Sequence, residues 1–410
     1  MNIALYQKIA VILVSHKRLQ IIGGIERMIE LLFSKLVTSG IPTSVVYREL
    51  FNVGVIQGDK KCELQEVRGK VFLNKTPFAR TFKPPEFLGL MAEFSFSFLA
   101  ALKIISLVKK YRMRRYVVIV HAMDTVFGGL AAFLASKLVG TPYITHTHGI
   151  RTYFTYTVTK SVLVRQIDFL VEKIVIHHAR KLISVNNEAR KFWIERGIPK
   201  EKIALVPVFI ETELFSPSEF TRNVVRKELG ISNDSVVFGY IGRLSPEKNL
   251  LTLVKAFHLA NFDAKLVIVG DGPLFSFLKH YVKNEGLGNK VIFTGFRNDI
   301  HRIINAIDVL VLPSFIEGLP TVLIEACANE KPIIASNIPS IRELIQNEGI
   351  LFNPQDVDQL KNALLLLYKN MELRKRLGRS AKKKAEQYNI NAIFKKIIHE
   401  YVDALSEFVR

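Results

Sequence analysis

Residues 309–336 read VLVLPSFIEGLPTVLIEACANEKPIIAS and contain one full period of an α/β pattern. The run at 309–312 is short enough for a strand and apolar enough to be buried on both faces. A turn holding Glu317, Gly318, Leu319 and Pro320 follows it, then the helical pattern TVLIEACA, then a second apolar run at 332–335. Strand, helix and strand in that order are the unit of a parallel sheet. Two carboxylates stand out, Glu317 at the strand exit and Glu325 inside the apolar helix, with seven residues between them.

The same alternation extends in both directions. Apolar runs at 236–241, 265–269 and 291–294 precede the opening segment, and a separate series occupies 9–14, 43–47, 116–121, 143–146 and 181–185. The pattern therefore occurs twice, which predicts two doubly wound, Rossmann-like α/β domains. The prolines of ALVPVFIETELFSP, residues 204–217, break the series. Expected domains are an acceptor-binding domain at 1–207 and a donor-binding domain at 208–380, with a C-terminal helix at 381–410 packing back toward the first. A length of 410 residues suits two cores.

The two cysteines, Cys62 and Cys327, lie in different halves and show no metal-ligand spacing. This predicts no disulfide framework and no structural metal, and a cytoplasmic location. The N-terminal run is interrupted by Lys8 and reads as a first strand rather than a signal peptide. Residues 87–108 are long enough to span a bilayer, but Glu93 and Lys103 fall inside them and each costs roughly 2.5–3.5 kcal/mol near a helix centre. A packed or surface helix is the better expectation.

The net charge of +20 is unevenly distributed, since residues 1–207 hold 31 of the 57 Lys and Arg but only 14 of the 37 Asp and Glu. The excess peaks in KKYRMRRY, residues 109–116, beside that apolar helix. Such a patch suits an anionic membrane surface or a phosphate-bearing acceptor; it also suits a solvated helix end. No nucleic-acid-binding module accompanies the charge, which leaves a basic nucleic-acid-binding or scaffold protein as a rival resting on charge alone.

In open α/β sheets ligands bind beyond the carboxyl ends of the strands, so the chemistry is sought in strand-exit loops. In YIGRLSPEKNLLTLVKAF, residues 240–257, a strand ends at Gly242, and Arg243 and Lys248 flank a turn that opens a helix. Two cations beside free amides make a diphosphate site. In LVIVGDGPL a second strand ends at Gly270, where a glycine turn lets backbone approach a ligand closely. Neither turn has the spacing of a dinucleotide fingerprint. Glu317 and Glu325 can accept hydrogen bonds from the hydroxyls of a polyol; alternatively Glu317 caps the helix and Glu325 pairs with an arginine. The two histidines of THTHG are expected to alternate, one facing a cleft and one the core, with His148 the candidate; His121 and Asp124 are further candidates nearby. Asp356 and Asp358 resemble a metal motif but open a helix, where capping is expected.

GRLSPEKN, VGDGPL, VIFTGF, the extended 309–336 segment and SIRELI, in that order, resemble the donor domain of the retaining GT-B glycosyltransferases called glycosyltransferase group 1, or family 4. GGIERMIELL, VIVHAMD, ITHTHGI and LISVNN resemble their N-terminal domain. The resemblance implies a GT-B fold and a metal-independent enzyme with no cofactor, using a UDP- or GDP-sugar and a glycan or lipid-linked acceptor. It implies that Arg243 and Lys248 hold the donor diphosphate, Glu317 and His148 contact the transferred sugar, and Glu325 holds the ribose. Gly23, Gly24, Gly242, Gly270 and Gly318, with the amides of Leu319, Thr321 and Val322, would surround the phosphates. Where the family shows Asn-Gly-Val-Asp after ALVP, this chain has Val208, Phe209, Ile210 and Glu211, so the linker is expected to turn differently.

Overall fold

The computed structural model describes residues 8–16, 24–48, 53–58, 86–149 and 161–409. The chain divides into two compact units, residues 1–208 with 391–410, and residues 209–390.

The first unit is built on a seven-stranded sheet. Its strands are β1 (Ile9–Ser15), β2 (Thr43–Arg48), β3 (Val53–Gly58), β4 (Val117–Ala122), β5 (Tyr143–Thr147), β6 (Lys181–Ser184) and β7 (Ile203–Leu205), in the order β3-β2-β1-β4-β5-β6-β7. All pairings are parallel except β2 with β3. The second unit has β8 (Val236–Ile241), β9 (Ala264–Val269), β10 (Val291–Gly295), β11 (Val309–Leu312), β12 (Ile333–Ser336) and β13 (Gly349–Phe352), all parallel. Their order is β10-β9-β8-β11-β12-β13. Strand order reverses beside β1 and β4 in the first unit and beside β8 and β11 in the second. These reversals open the crevice in which doubly wound sheets hold ligands.

Helices cover the sheets, so β1 is buried along its whole length and reads as an unbroken apolar run. In the first unit the helices Glu86–Met113 and Phe127–Val139 pack one face into the core through Phe96, Ala100, Ile104 and Ala131. The helix Glu86–Met113 is long and apolar enough to cross a membrane by length and composition. It nevertheless lies on the sheet, with Glu93 paired to Arg48.

Two expectations change. The tail is two helices, Met371–Ala385 and Ile390–Val409, because the Asn389 backbone is extended (φ −66°, ψ 134°). There Ile210 bridges Asn389, taking a hydrogen bond from Ile390 and donating one to Tyr388, so the divergent linker residue supports the return of the chain. The second change is that β3, β7 and β13 are additional strands.

Candidate active site

The β8 exit is shaped from below by Tyr240. Its buried hydroxyl donates to the Arg243 carbonyl at 2.7 Å, and a Cβ on Gly242 would lie 2.7 Å from that hydroxyl oxygen. Burial, and then the neighbouring Glu317 and Glu247 carboxylates, push the phenol pKa well up, so Tyr240 remains a donor. The β9 exit interlocks with the same loop. Gly242 N–H donates to the Val269 carbonyl, Leu244 N–H to Asp271 and Leu274 N–H to Leu244. A Cβ on Gly270, at φ +131°, would sit 1.9 Å from the Gly242 carbonyl oxygen. The close approach that Gly270 allows in the folded chain is of one loop to another.

Beyond Gly242 a short 3₁₀ turn, Pro246–Lys248, leads through Asn249 into the helix Leu250–Ala260. Asn249 is left-handed (φ 55°) and its side-chain amide donates to the carbonyls of Pro313 (3.1 Å) and Pro354 (2.8 Å). Phe315 N–H donates to the Glu247 carbonyl at 2.9 Å. The loops after β8, β11 and β13 are therefore tied together through one asparagine, which the sequence reading missed; a polar residue before a helix reads as a cap, and here it is not one.

That tie brings two predicted residues into contact. Lys248 Nζ lies 2.7 Å from Glu317 Oε1, with side chains 18% and 8% exposed. Ser314 Oγ donates to the same oxygen at 2.6 Å. Glu317 does not cap the following helix, Thr321–Ala328, whose N-terminus has no side-chain cap. Among the described residues no acceptor reaches the amides of Leu319, Thr321 or Val322, which leaves an anion-receptive end. Glu325 lies four residues into that helix and is 3% exposed. Arg243 is exposed at the rim of the same loop, and Gly318 is buried beside Glu317.

In the first unit Gly24 opens the helix Gly24–Thr38 at the β1 exit, whereas Gly23 lies outside the described residues. His148 follows β5, with Nε2 2.9 Å from the Met123 carbonyl oxygen. The alternation expected for THTHG is corrected: residues two apart in a strand share a face, and the His146 and His148 rings stack at 4.5 Å. Asp124, at the β4 exit, accepts from the amides of Val126 and Gly128 and lies 2.9 Å from His16 Nδ1. His16 gave no signal in the sequence, because nothing local links it to a residue 108 positions away. Asp356 Oδ1 accepts from Gln359 N–H, serving its own helix. Among the described residues no three His, Cys, Asp or Glu side chains gather as metal ligands.

Residues 22–214 match the family described as Glycosyltransferase Family 4, and residues 221–384 that described as Glycosyl transferases group 1. The UDP-Gal:alpha-D-GlcNAc-diphosphoundecaprenol alpha-1,3-galactosyltransferase of Escherichia coli is 33% identical over 311 residues, 73% of this chain and 79% of that protein. A Campylobacter jejuni alpha-1,4-N-acetyl-D-galactosaminyltransferase that acts on a PP-undecaprenol-linked glycan is 32% identical over 220 residues, 52% of this chain and 57% of its own. Among solved structures, Anabaena HepE in complex with UDP and glucose superposes with a TM-score of 0.73 at 20% identity, covering 97% of this chain and 99% of that one. Sucrose-phosphate synthase from Thermosynechococcus elongatus gives 0.78 at 21% identity, with the same coverage.

Proposed function

Because the chain belongs to the group 1, family 4 glycosyltransferases and has their GT-B fold, we propose that it moves a hexose from a UDP- or GDP-linked donor to a lipid-linked or glycan acceptor, with retention at the anomeric carbon and without a metal ion. The observation that carries this reading is the Lys248–Glu317 pair, set where strand order reverses between β8 and β11 and next to the receptive helix end.

As the bond from the sugar C1 to the diphosphate oxygen breaks, negative charge gathers on the phosphates. Arg243, Lys248 and the amides of Leu319, Thr321 and Val322 meet that charge, supplying the compensation that a divalent ion gives elsewhere. Glu317 accepts a hydroxyl of the transferred sugar, Glu325 holds the ribose, and His148 contacts the sugar from the N-terminal unit. The acceptor oxygen bonds to C1 on the face from which the diphosphate leaves, and its proton passes to a departing phosphate oxygen.

We place the acceptor at the cytoplasmic face of a membrane. The E. coli relative uses a diphosphoundecaprenol-linked sugar. Here the helix Glu86–Met113 exposes Met91, Phe94, Phe98 (60% exposed) and Leu102 along one side; Lys109 and Arg112 lie in its last turns, and Arg114 and Arg115 directly follow it. The neighbouring helix Val162–His178 exposes Leu163 and Leu170. An apolar stripe with a basic collar fits an anionic bilayer.

The donor assignment is tested by thermal unfolding with UDP and GDP. A nucleotide present at 100 times its Kd stabilises by about 2.7 kcal/mol, and one of the two is expected to do so in the wild type and to fail with Lys248→Ala. If neither nucleotide shifts the wild type, the site is misassigned.

A further inference from the structure

Three histidines and a tyrosine form a column inside the first unit. The His148 ring stacks on His146 (4.5 Å, 12°), and His146 stacks on His121 (5.6 Å, 4°). His121 Nδ1 meets the Tyr401 hydroxyl at 2.8 Å. The column crosses three elements: β4 carries His121, β5 carries His146, and the helix Ile390–Val409 brings in Tyr401 from the end of the chain. His121, His146 and Tyr401 are fully buried.

For stability alone this is a poor choice of residues. Both nitrogens of His146 and Nε2 of His121 are buried with no hydrogen-bond partner among the described residues, and each such atom forfeits the solvation it had in water. An apolar ring would fill the same space without that loss. Burial holds both rings neutral, lowering the His121 pKa to about 3 and that of His146 well below its ordinary value, so the column gains nothing from charge. What it supplies is a flat, rigid support ending at His148. There the Met123 carbonyl fixes the ring from the other side. A carbonyl only accepts, so the Nε2 of His148 carries a proton.

We propose that His146, His121 and Tyr401 are positioning residues that fix the plane of the His148 ring and so hold its Nε2 on the Met123 carbonyl that sets its tautomer, which lets the helix Ile390–Val409 set the geometry of a group at the β5 exit. The proposal rests on the reading of His148 as the residue beside the transferred sugar.

The test compares His146→Phe, which keeps a flat ring, with His146→Leu, which does not, in the full-length protein. Turnover is measured with the UDP- or GDP-hexose whose nucleotide binds, together with 15N-histidine spectra that report the His148 tautomer. Expected for His146→Leu are a kcat at least tenfold lower, a donor KM within twofold of wild type, an unchanged or higher Tm and a mixed His148 tautomer. His146→Phe should stay within threefold in kcat and keep the single tautomer. Tyr401→Phe, which removes one hydroxyl, should lower kcat about threefold and supplies the test if His146→Leu does not fold. Equal losses in the Phe and Leu variants, or a wild-type kcat and tautomer in His146→Leu, overturn the positioning role. His148→Ala separates the two ideas: if it retains full turnover, the reading of His148 itself fails.

Discussion

An ammonium group has three donor positions, and the contact with Glu317 uses one of those on Lys248. The lysine can therefore hold a phosphate oxygen while still anchored, and the carboxylate orients it before any donor arrives. This predicts coupling between the two side chains. Lys248→Ala leaves a nearly buried carboxylate with Ser314 as its remaining partner in the pair's surroundings and should destabilise by about 1–3 kcal/mol. The double variant Lys248→Ala/Glu317→Ala should recover part of that loss, with a coupling of about 0.5–3 kcal/mol from urea unfolding; strict additivity would mean that the pair is incidental. Each residue was legible in the sequence, but their contact was not. They are 69 positions apart and meet only because β8 and β11 are neighbours. The side of the strand taken by His146 was misjudged for a simpler reason, since a spacing of two fixes one face whatever the loop beyond does.

At the scale of elements, the strands visible in the sequence were the interior strands of both sheets and the one edge strand, β10, that opens on an apolar run. The three that were not visible are all sheet edges: β3 and β7 bound one sheet and β13 the other. Edge strands are short or exposed on one side, so their apolar signal is weak; β7 has three residues, and β3 ends at Gly58, where a Cβ would lie 2.7 Å from Val37. Turn glycines were equally ambiguous, because the sequence shows that a Cβ is missing and not what occupies its place. At Gly270 the occupant is a neighbouring carbonyl. Gly270→Ala must then move backbone in two strand-exit loops and is expected to cost about 1–3 kcal/mol and to abolish the nucleotide-dependent rise in Tm. Gly288→Ala, with open space around its Cβ position, should leave both stability and the nucleotide response unchanged.

Taken whole, the chain concentrates its positive charge in the half that also exposes an apolar helix face. Cosedimentation with phosphatidylglycerol vesicles at low salt should capture the wild type and release it as salt rises past the point where the Debye length falls below about 10 Å. Phe98→Glu with Leu102→Glu should abolish capture without altering nucleotide binding. A wild type that ignores such vesicles would favour the rival in which the acceptor is a free saccharide. The charge asymmetry and the doubled α/β pattern were plain in the sequence, whereas the side of each helix left uncovered follows from packing.

The first unit is assembled from two pieces of chain, residues 1–208 and 391–410, and the second from one uninterrupted piece between them. During synthesis the inserted unit is complete, and free to fold, while its host still lacks its closing helix. Ile393, Ile397 and Tyr401, all buried in the finished protein, leave the ribosome only after the whole of the inserted unit. Until they do, the apolar surface they cover is open to chaperones, and the column behind His148 has no floor.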